Sequence, residues 1–249
     1  MTRKVALVTG GSAGIGAATA RLLAKTGYTV GINFRSHKED AERLADEVTR
    51  AGAKAIAIQA DVASESDILR MFDTVDRELG PVSALVNNAG ITGGYARVEE
   101  VSAETIDKVF RINVAGAILC AREAVRRMST KRGGQGGSIV NISSIAAQLG
   151  SPGEYVHYAA SKAAIDALTR GLAKEVATEG IRVNAVAPGL IETGIHAANG
   201  DPGRLERLRS TIPMQRPGTP EEVAESVAWL LSDAASYVTG SILAIGGGR

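Results

Sequence analysis

Short, continuous apolar runs alternate with stretches of helical periodicity along the whole chain. The first run is Lys4-Val5-Ala6-Leu7-Val8-Thr9. It lacks the polar alternation of a half-exposed strand, so it predicts a strand buried on both faces. Six further runs read the same way: Tyr28 to Phe34, Ala55 to Ala60, Ser83 to Val86, Ser138 to Ile142, Arg182 to Ala187 and Ser241 to Ile245. Between them the apolar spacing turns helical, over about Ala17 to Lys25, Glu39 to Ala51, Ser64 to Leu79, Ser102 to Thr130, the stretch from Tyr158 to near Gly180, and Thr219 to Ser232. Ser64-Glu65-Ser66-Asp67 and Thr219-Pro220-Glu221-Glu222 are helix starts, each with a capping hydroxyl and an acid three residues on. Seven strands alternating with helices predict an α/β fold: one Rossmann-type domain over residues 1–249, a doubly wound parallel sheet with helices on both faces. Residues 190–212 form a long polar insertion, and long loops in compact domains are often lids.

Ligands of such sheets bind beyond the carboxyl ends of the strands. The first strand runs into Gly10-Gly11-Ser12-Ala13-Gly14-Ile15-Gly16 and then a helix, the order in which a glycine loop brings a pyrophosphate to a positive helix N-terminus. The second strand ends in Asn33-Phe34-Arg35, with no acid before Glu39 to accept a ribose 2′-hydroxyl. Arg35 suits a 2′-phosphate instead, which favours NADP(H) over NAD(H). Asp61, Asn87-Asn88-Ala89-Gly90, Ser144 and Pro188 also fall at strand ends, so the topology gathers all of them at one edge. The amides and glycine of 87–90 serve either backbone turns or a cofactor. Asn113, inside an apolar helical stretch, competes for backbone hydrogen bonds.

The same edge receives Tyr158-Ala159-Ala160-Ser161-Lys162. Residues four apart share a helix face. A phenol titrates near 10 when free, and a cation beside it favours the phenolate. Tyr158 with Lys162 is thereby a candidate general acid/base for an alcohol or carbonyl oxygen.

Composition narrows the remaining classes. A formal net charge of +1 argues against a nucleic-acid surface. The lone cysteine, Cys120, lies in an apolar run; it excludes an internal disulfide and fits a reducing, cytoplasmic compartment. No run approaches the ~20 apolar residues of a membrane span. The histidines, at 37, 157 and 196, lack metal-ligand spacing, so no metal is expected.

With these residues assembled, the sequence resembles the short-chain dehydrogenase/reductase family over essentially its whole length. The resemblance is carried by Thr9-Gly10-x-x-x-Gly14-x-Gly16, Asn87-Asn88-Ala89-Gly90, Asn113, Ser144, Tyr158-x-x-x-Lys162 and Pro188-Gly189. It implies a hydride-transferring oxidoreductase acting on a secondary alcohol or ketone, commonly a homotetramer paired through its two long middle helices and the C-terminal strand. It implies Tyr158 as acid/base, Lys162 on the nicotinamide ribose, Ser144 on the substrate oxygen and Asn113 on a relay water. The glycine loop from Gly10 through Ser12, Ala13, Gly14, Ile15 and Gly16 would hold the cofactor. Asp61 and Val62 resemble the adenine contacts, and Asn88, with Ala89 and Gly90 beside it, marks the adenosine ribose. Ile191 and Thr193, after Pro188 and Gly189, resemble the carboxamide contacts.

Tyr155 has no lysine four residues on, so Tyr158 is preferred. Ser143 competes with Ser144, and the alignment of Asn141-Ile142-Ser143-Ser144 favours the latter. Two family features are absent: Ala13 replaces an arginine frequent in NADP-preferring members, and Gly246 stands where an aspartate usually precedes the final Gly-Gly. Within the class, a 3-oxoacyl-thioester reductase and a sugar or polyol dehydrogenase are the alternatives. Outside it, a nucleotide-sensing regulator without chemistry is the rival, and a purely structural oligomer is more distant. Arg204, Arg207 and Arg209 belong either to an anionic subsite or to a solvated lid helix.

Overall fold

The computed structural model describes residues 4–194 and 201–249. Seven strands form one parallel sheet in the order β3-β2-β1-β4-β5-β6-β7. They are β1 (Val5–Val8), β2 (Thr29–Phe34), β3 (Ala55–Gln59), β4 (Ala84–Asn87), β5 (Gly137–Ile142), β6 (Ile181–Pro188) and β7 (Ile242–Ile245). The helices are α1 (Gly14–Lys25), α2 (Lys38–Arg50), α3 (Glu65–Glu78), α4 (Ala103–Phe110), α5 (Ala117–Met128), α6 (Ala146–Leu149), α7 (Val156–Val176), α8 (Arg204–Leu208) and α9 (Pro220–Leu231). The order of strands reverses at β1, which pairs β2 on one side and β4 on the other (Val8 with Ile32 and with Val86).

The pleat sorts the apolar side chains into two layers. Ala6 and Val8 of β1 enter one cluster with Leu23 of α1, Leu44 of α2 and Leu230 of α9. Val5 and Leu7 enter the other, with Phe72 of α3, Cys120 of α5 and Val176 of α7. Both faces of the central strands are therefore covered, the physical reason their sequences are continuously apolar. The predicted helix starts form: Ser64 accepts from the Asp67 backbone N–H, and Thr219 with Glu222 makes a full capping box on α9.

Two elements differ from the reading of the sequence. The helix expected from Ser102 to Thr130 is interrupted by a π-helical turn at Arg111–Gly116, centred on Asn113. Of the insertion at 190–212, residues 195–200, with His196, lie outside the described residues. After them come α8 and a 3-10 turn at Arg209–Thr211.

Candidate active site

The carboxyl ends of β1, β4, β5 and β6 frame an open cleft. Ile15, Asn88, Gly90, Ser144, Tyr158, Lys162, Pro188, Gly189, Ile191 and Thr193 line it. The other expected site residues, Gly10, Ser12, Ala13, Gly14, Gly16, Arg35, Asp61, Val62, Ala89 and Asn113, are not in its lining. They occupy the loops and turn around it, along the same sheet edge.

The glycine loop is braced from both neighbouring strands. Asn88, at the end of β4, donates from its side chain to the carbonyls of Thr9 and Gly10, both at 2.9 Å. The Thr9 hydroxyl accepts from the Asn88 and Ala89 backbone N–H groups, each at 3.0 Å. From β2, buried Asn33 accepts from the Gly10 N–H at 3.1 Å and donates to Ala60 O at 3.0 Å. A side chain at Gly16 would place its Cβ 2.4 Å from Gly10 O, and Gly14 adopts a φ of +53°. Only glycine allows that packing and that turn. Helix α1 starts without a side-chain cap and with no acid in its first turn, so its leading N–H groups and positive end remain available to an anion. Thr193 lies above this loop, its Cγ2 3.3 Å from where a Gly14 Cβ would stand. The loop, the uncapped helix and the overlying threonine fit a dinucleotide pyrophosphate.

Arg35 follows β2 and is exposed. Its backbone oxygen accepts from Gln59, while its guanidinium makes no hydrogen bond or ion pair with the described residues. Phe34 is different: it is 4% exposed and packed in the core beside α2. Asp61 caps the turn into α3 by accepting from the Ala63 N–H at 2.9 Å, and Val62 is buried against α3 and α5. Asn87, at the end of β4, turns away from the cleft. Its amide donates to Ala117 O and to Asn141 Oδ1, tying β4 to α5 and β5.

Helix α7 brings Tyr158 and Lys162 to the cleft floor, and the end of β5 brings Ser144. Ser143 and Ser144 point differently. Ser143 is buried and donates to Asp166 Oδ1 at 2.5 Å, inside the β5–α7 packing. Ser144 lines the cleft, accepts from the Ala146 N–H at 3.1 Å and lies within hydrogen-bonding reach of Tyr158. Asn113 is fully engaged: its Oδ1 accepts from Ile91 N–H at 2.9 Å, and its Nδ2 donates to Ile91 O at 2.8 Å and Ser161 Oγ at 3.0 Å. These bonds, with Gly116 pressed against Val62 O, accompany the widened π turn. Such turns are frequent at functional sites.

The electrostatics run against one expectation: the net shift of the Tyr158 phenol is upward, because burial is its largest cause. The Lys162 Nζ donates to Ile142 O at 2.7 Å and lies 5.7 Å from the Tyr158 ring centroid. Burial pushes the Tyr158 phenol up to about 12, with the Ser144 hydroxyl pulling the other way. Burial also lowers Lys162 to about 8, opposed by Asp166.

Arg207 and Arg209 are exposed, as expected of a solvated helix, whereas Arg204 fits neither sequence alternative. Arg204 is 3% exposed and donates both terminal nitrogens to the Glu154 carboxylate, at 2.9 and 2.6 Å, and one to the Tyr155 hydroxyl at 2.9 Å. Its guanidinium stacks on Tyr95 and Tyr155, 5.1 and 5.4 Å from the ring centroids. Tyr155 in turn meets Tyr158 edge-on at 5.2 Å. Arg204 is a clasp behind the aromatic wall of the cleft. Arg207 pairs with Asp201, and Arg209 donates to Gln215 O. His157 sits under Thr92, its Nε2 3.0 Å from the Thr92 carbonyl, and does not line the cleft. The C-terminal glycines are held by backbone bonds, Gly189 N–H to Ile245 O and Met214 N–H to Gly247 O, without the absent aspartate. Asn33, Tyr95, Glu154 and the role of Tyr155 escape the sequence reading. In the sequence only Tyr155, three residues before Tyr158, and Arg204, in the basic insertion, carry a signal.

Among the described residues no group of three or more His, Cys, Asp or Glu could hold a metal, and no helix is long and apolar enough to cross a membrane. A family model described as enoyl-(acyl carrier protein) reductase matches residues 10–249. The chain is 56% identical to the uncharacterized oxidoreductase YgfF of Escherichia coli (strain K12), over 98% of this chain and 99% of that protein. It is 39% identical to the 3-oxoacyl-[acyl-carrier-protein] reductase FabG of Staphylococcus aureus, over 98% and 97% of the two chains. A crystal structure of a short-chain type dehydrogenase/reductase from Mycobacterium marinum superposes with a TM-score of 0.92 at 35% identity, covering 98% of this chain and 94% of that one. Sequence, strand order and cleft agree: the chain belongs to the short-chain dehydrogenase/reductase family and is an NAD(P)-dependent oxidoreductase.

Proposed function

We propose that the protein transfers a hydride between NADP(H) and a small secondary alcohol or ketone, with Tyr158 as general acid/base. The observation that carries this reading is the meeting of Tyr158, Ser144 and Lys162 in one cleft whose other wall is the braced glycine loop. The bound dinucleotide supplies or accepts the hydride. Ser144 positions the substrate oxygen against the Tyr158 hydroxyl. Tyr158 donates its proton to that oxygen as a ketone is reduced, which leaves a phenolate, and in the other direction the phenolate takes the proton back. Lys162, fixed at the cleft floor, holds the nicotinamide ribose hydroxyls. Asn113 holds the loop at Ile91 with its amide, which leaves its backbone carbonyl to position a relay water. Gly10, Ser12, Ala13, Gly14, Ile15 and Gly16 hold the pyrophosphate, Asp61 and Val62 the adenine, Asn88, Ala89 and Gly90 the adenosine ribose. Pro188, Gly189, Ile191 and Thr193 hold the carboxamide side. Arg35, whose guanidinium has no partner among the described residues, takes the 2′-phosphate and favours NADP(H) over NAD(H).

A sugar or polyol is the second substrate reading; a 3-oxoacyl thioester, the substrate named for the Staphylococcus aureus relative, is the first. The aromatic, uncharged wall of Tyr95 and Tyr155 favours the thioester's neutral acyl chain. A cytoplasmic homotetramer accommodates the apolar residues left exposed on α4 and α5 (Ile106, Phe110, Ile118) and on α9 and β7 (Trp229, Leu243). A panel of acetoacetyl thioester, simple ketones and aldoses, followed by nicotinamide absorbance with NADPH and NADH, tests the reading. Turnover of none of them with either cofactor would refute it.

A further inference from the structure

Lys162 is 5% exposed, and the group that receives its Nζ is the uncharged Ile142 carbonyl. Burial disfavours an ammonium, so something must keep it charged. The groups facing it can be named element by element. Tyr158 lies one turn before it on α7 and Asp166 one turn after. The end of β5 contributes Ile142 O and Ser143; the loop after β4 contributes Gly90; the π turn contributes the Asn113 amide. Among these groups Asp166 is the one that carries a full charge, and it favours the ammonium.

Asp166 is itself 6% exposed and lies outside the mechanism given above. The Ser143 hydroxyl donates to its Oδ1 at 2.5 Å and approaches the Lys162 carbonyl at 3.3 Å. Among the described residues Asp166 has no ion-pair partner within 4.0 Å. A buried carboxylate without opposite charge is costly. Lysine and aspartate four residues apart on one helix share a face, about 5–6 Å apart at their Cβ atoms. Each group therefore offsets the burial of the other.

We propose that Asp166 is a positioning residue for the reaction: its buried carboxylate, held by Ser143, keeps Lys162 in the ammonium form. It touches neither substrate nor cofactor and acts through Lys162. Its meaning for turnover rests on the assignment of Lys162 above, but the coupling of the two side chains is measurable without turnover.

The experiment is a pH titration of the protein labelled with 13C at lysine Cε and perdeuterated elsewhere, with the Lys162 resonance assigned by Lys162→Met. Opposite charges roughly 6 to 10 Å apart at an effective dielectric of ~20 move a midpoint by about one to two pH units. Asp166→Asn, which keeps an acceptor for Ser143, is expected to lower the Lys162 midpoint by one unit or more. Ser143→Ala, which keeps the carboxylate, is expected to leave it within half a unit. If Asp166→Asn does not fold, Asp166→Ser serves in its place. A midpoint within half a unit of wild type in the Asp166 variant overturns the inference. So does an equal fall in Ser143→Ala, since packing rather than charge would then be responsible. A purely structural Asp166 would change the melting temperature and leave the midpoint alone. A lowered midpoint with an unmoved pH–rate profile supports the coupling and refutes the catalytic assignment of Lys162 instead.

Discussion

Cofactor choice is the prediction that the structure sharpens most. Replacing Arg35 with alanine removes a guanidinium that follows β2 and has no partner among the described residues. A charge-assisted hydrogen bond contributes about 1.5–3 kcal/mol, or roughly 10- to 150-fold in affinity. Arg35 is exposed, so water and salt screen its charge and the lower end applies: about tenfold tighter NADPH than NADH. Ala13 supplies no second cation. Arg35→Ala is expected to weaken NADPH by about that factor, leave NADH unchanged, and flatten the ionic-strength dependence of NADPH binding. Phe34→Asp, which would set an acid at the end of β2 to accept a ribose 2′-hydroxyl, is unsuitable. Phe34 is core, and loss of a buried Phe costs about 3–5 kcal/mol before any carboxylate is buried. Arg35→Asp makes the reversal at an exposed position. Dissociation constants for both cofactors by fluorescence titration, at low and physiological salt, decide the matter. A wild type that binds NADH as tightly as NADPH, or an Arg35→Ala protein with its preference intact, would refute the reasoning.

Tyr158→Phe is expected to abolish turnover while leaving NADPH affinity within about twofold, whereas Tyr155→Phe keeps turnover; steady-state rates with parallel cofactor titrations separate them. Arg204→Met leaves Glu154 without its partner; a fully buried pair costs about 3–5 kcal/mol to break, and Glu154 is about a third exposed, so about 2 kcal/mol in urea unfolding is expected, with a raised KM. Lys162 has a folded pKa of about 8, below its unfolded value, so the unfolded chain binds more protons between about 8 and 10.5 and stability rises with pH across that window. Lys162→Met should lose that rise in thermal melts at pH 7 to 10, and should bind NADPH more weakly. Phe110→Glu places a charge on the exposed α4–α5 face and should reduce a tetramer to smaller species by light scattering.

What was legible in the sequence was local. The strands announced themselves because burial on both faces disfavours polar residues that lack a partner, and the glycine loop because close contacts exclude a side chain at Gly16. Tyr158 and Lys162 share one helix, so spacing alone aligned them. What was not legible depends on groups far apart in the chain. Arg204 reaches Glu154 across 50 residues and Asn33 reaches Ala60 across 27, and neither pairing leaves a periodic trace. Asn113 drew notice as an amide inside a helix, yet the π turn follows from where Ile91 and Ser161 stand. The destination of the Lys162 Nζ was hidden for the same reason: the Ile142 carbonyl belongs to another element.

The bracing of the glycine loop by Asn33 and Asn88 has a further consequence. Both amides rise from strands, whereas the opposite wall, Tyr95, Glu154, Tyr155 and Arg204, is assembled from loops and one short helix. Half of the cleft is thus tied to the sheet register and the other half to segments that tolerate insertion and exchange. Redesign of the second half, by swapping the segments around Tyr95 and 150–155 together with the arginine that joins them, should retarget the protein to new carbonyl compounds while the dinucleotide half is inherited unchanged. Swapping either tyrosine segment without its arginine should instead yield a loosened wall and little new selectivity.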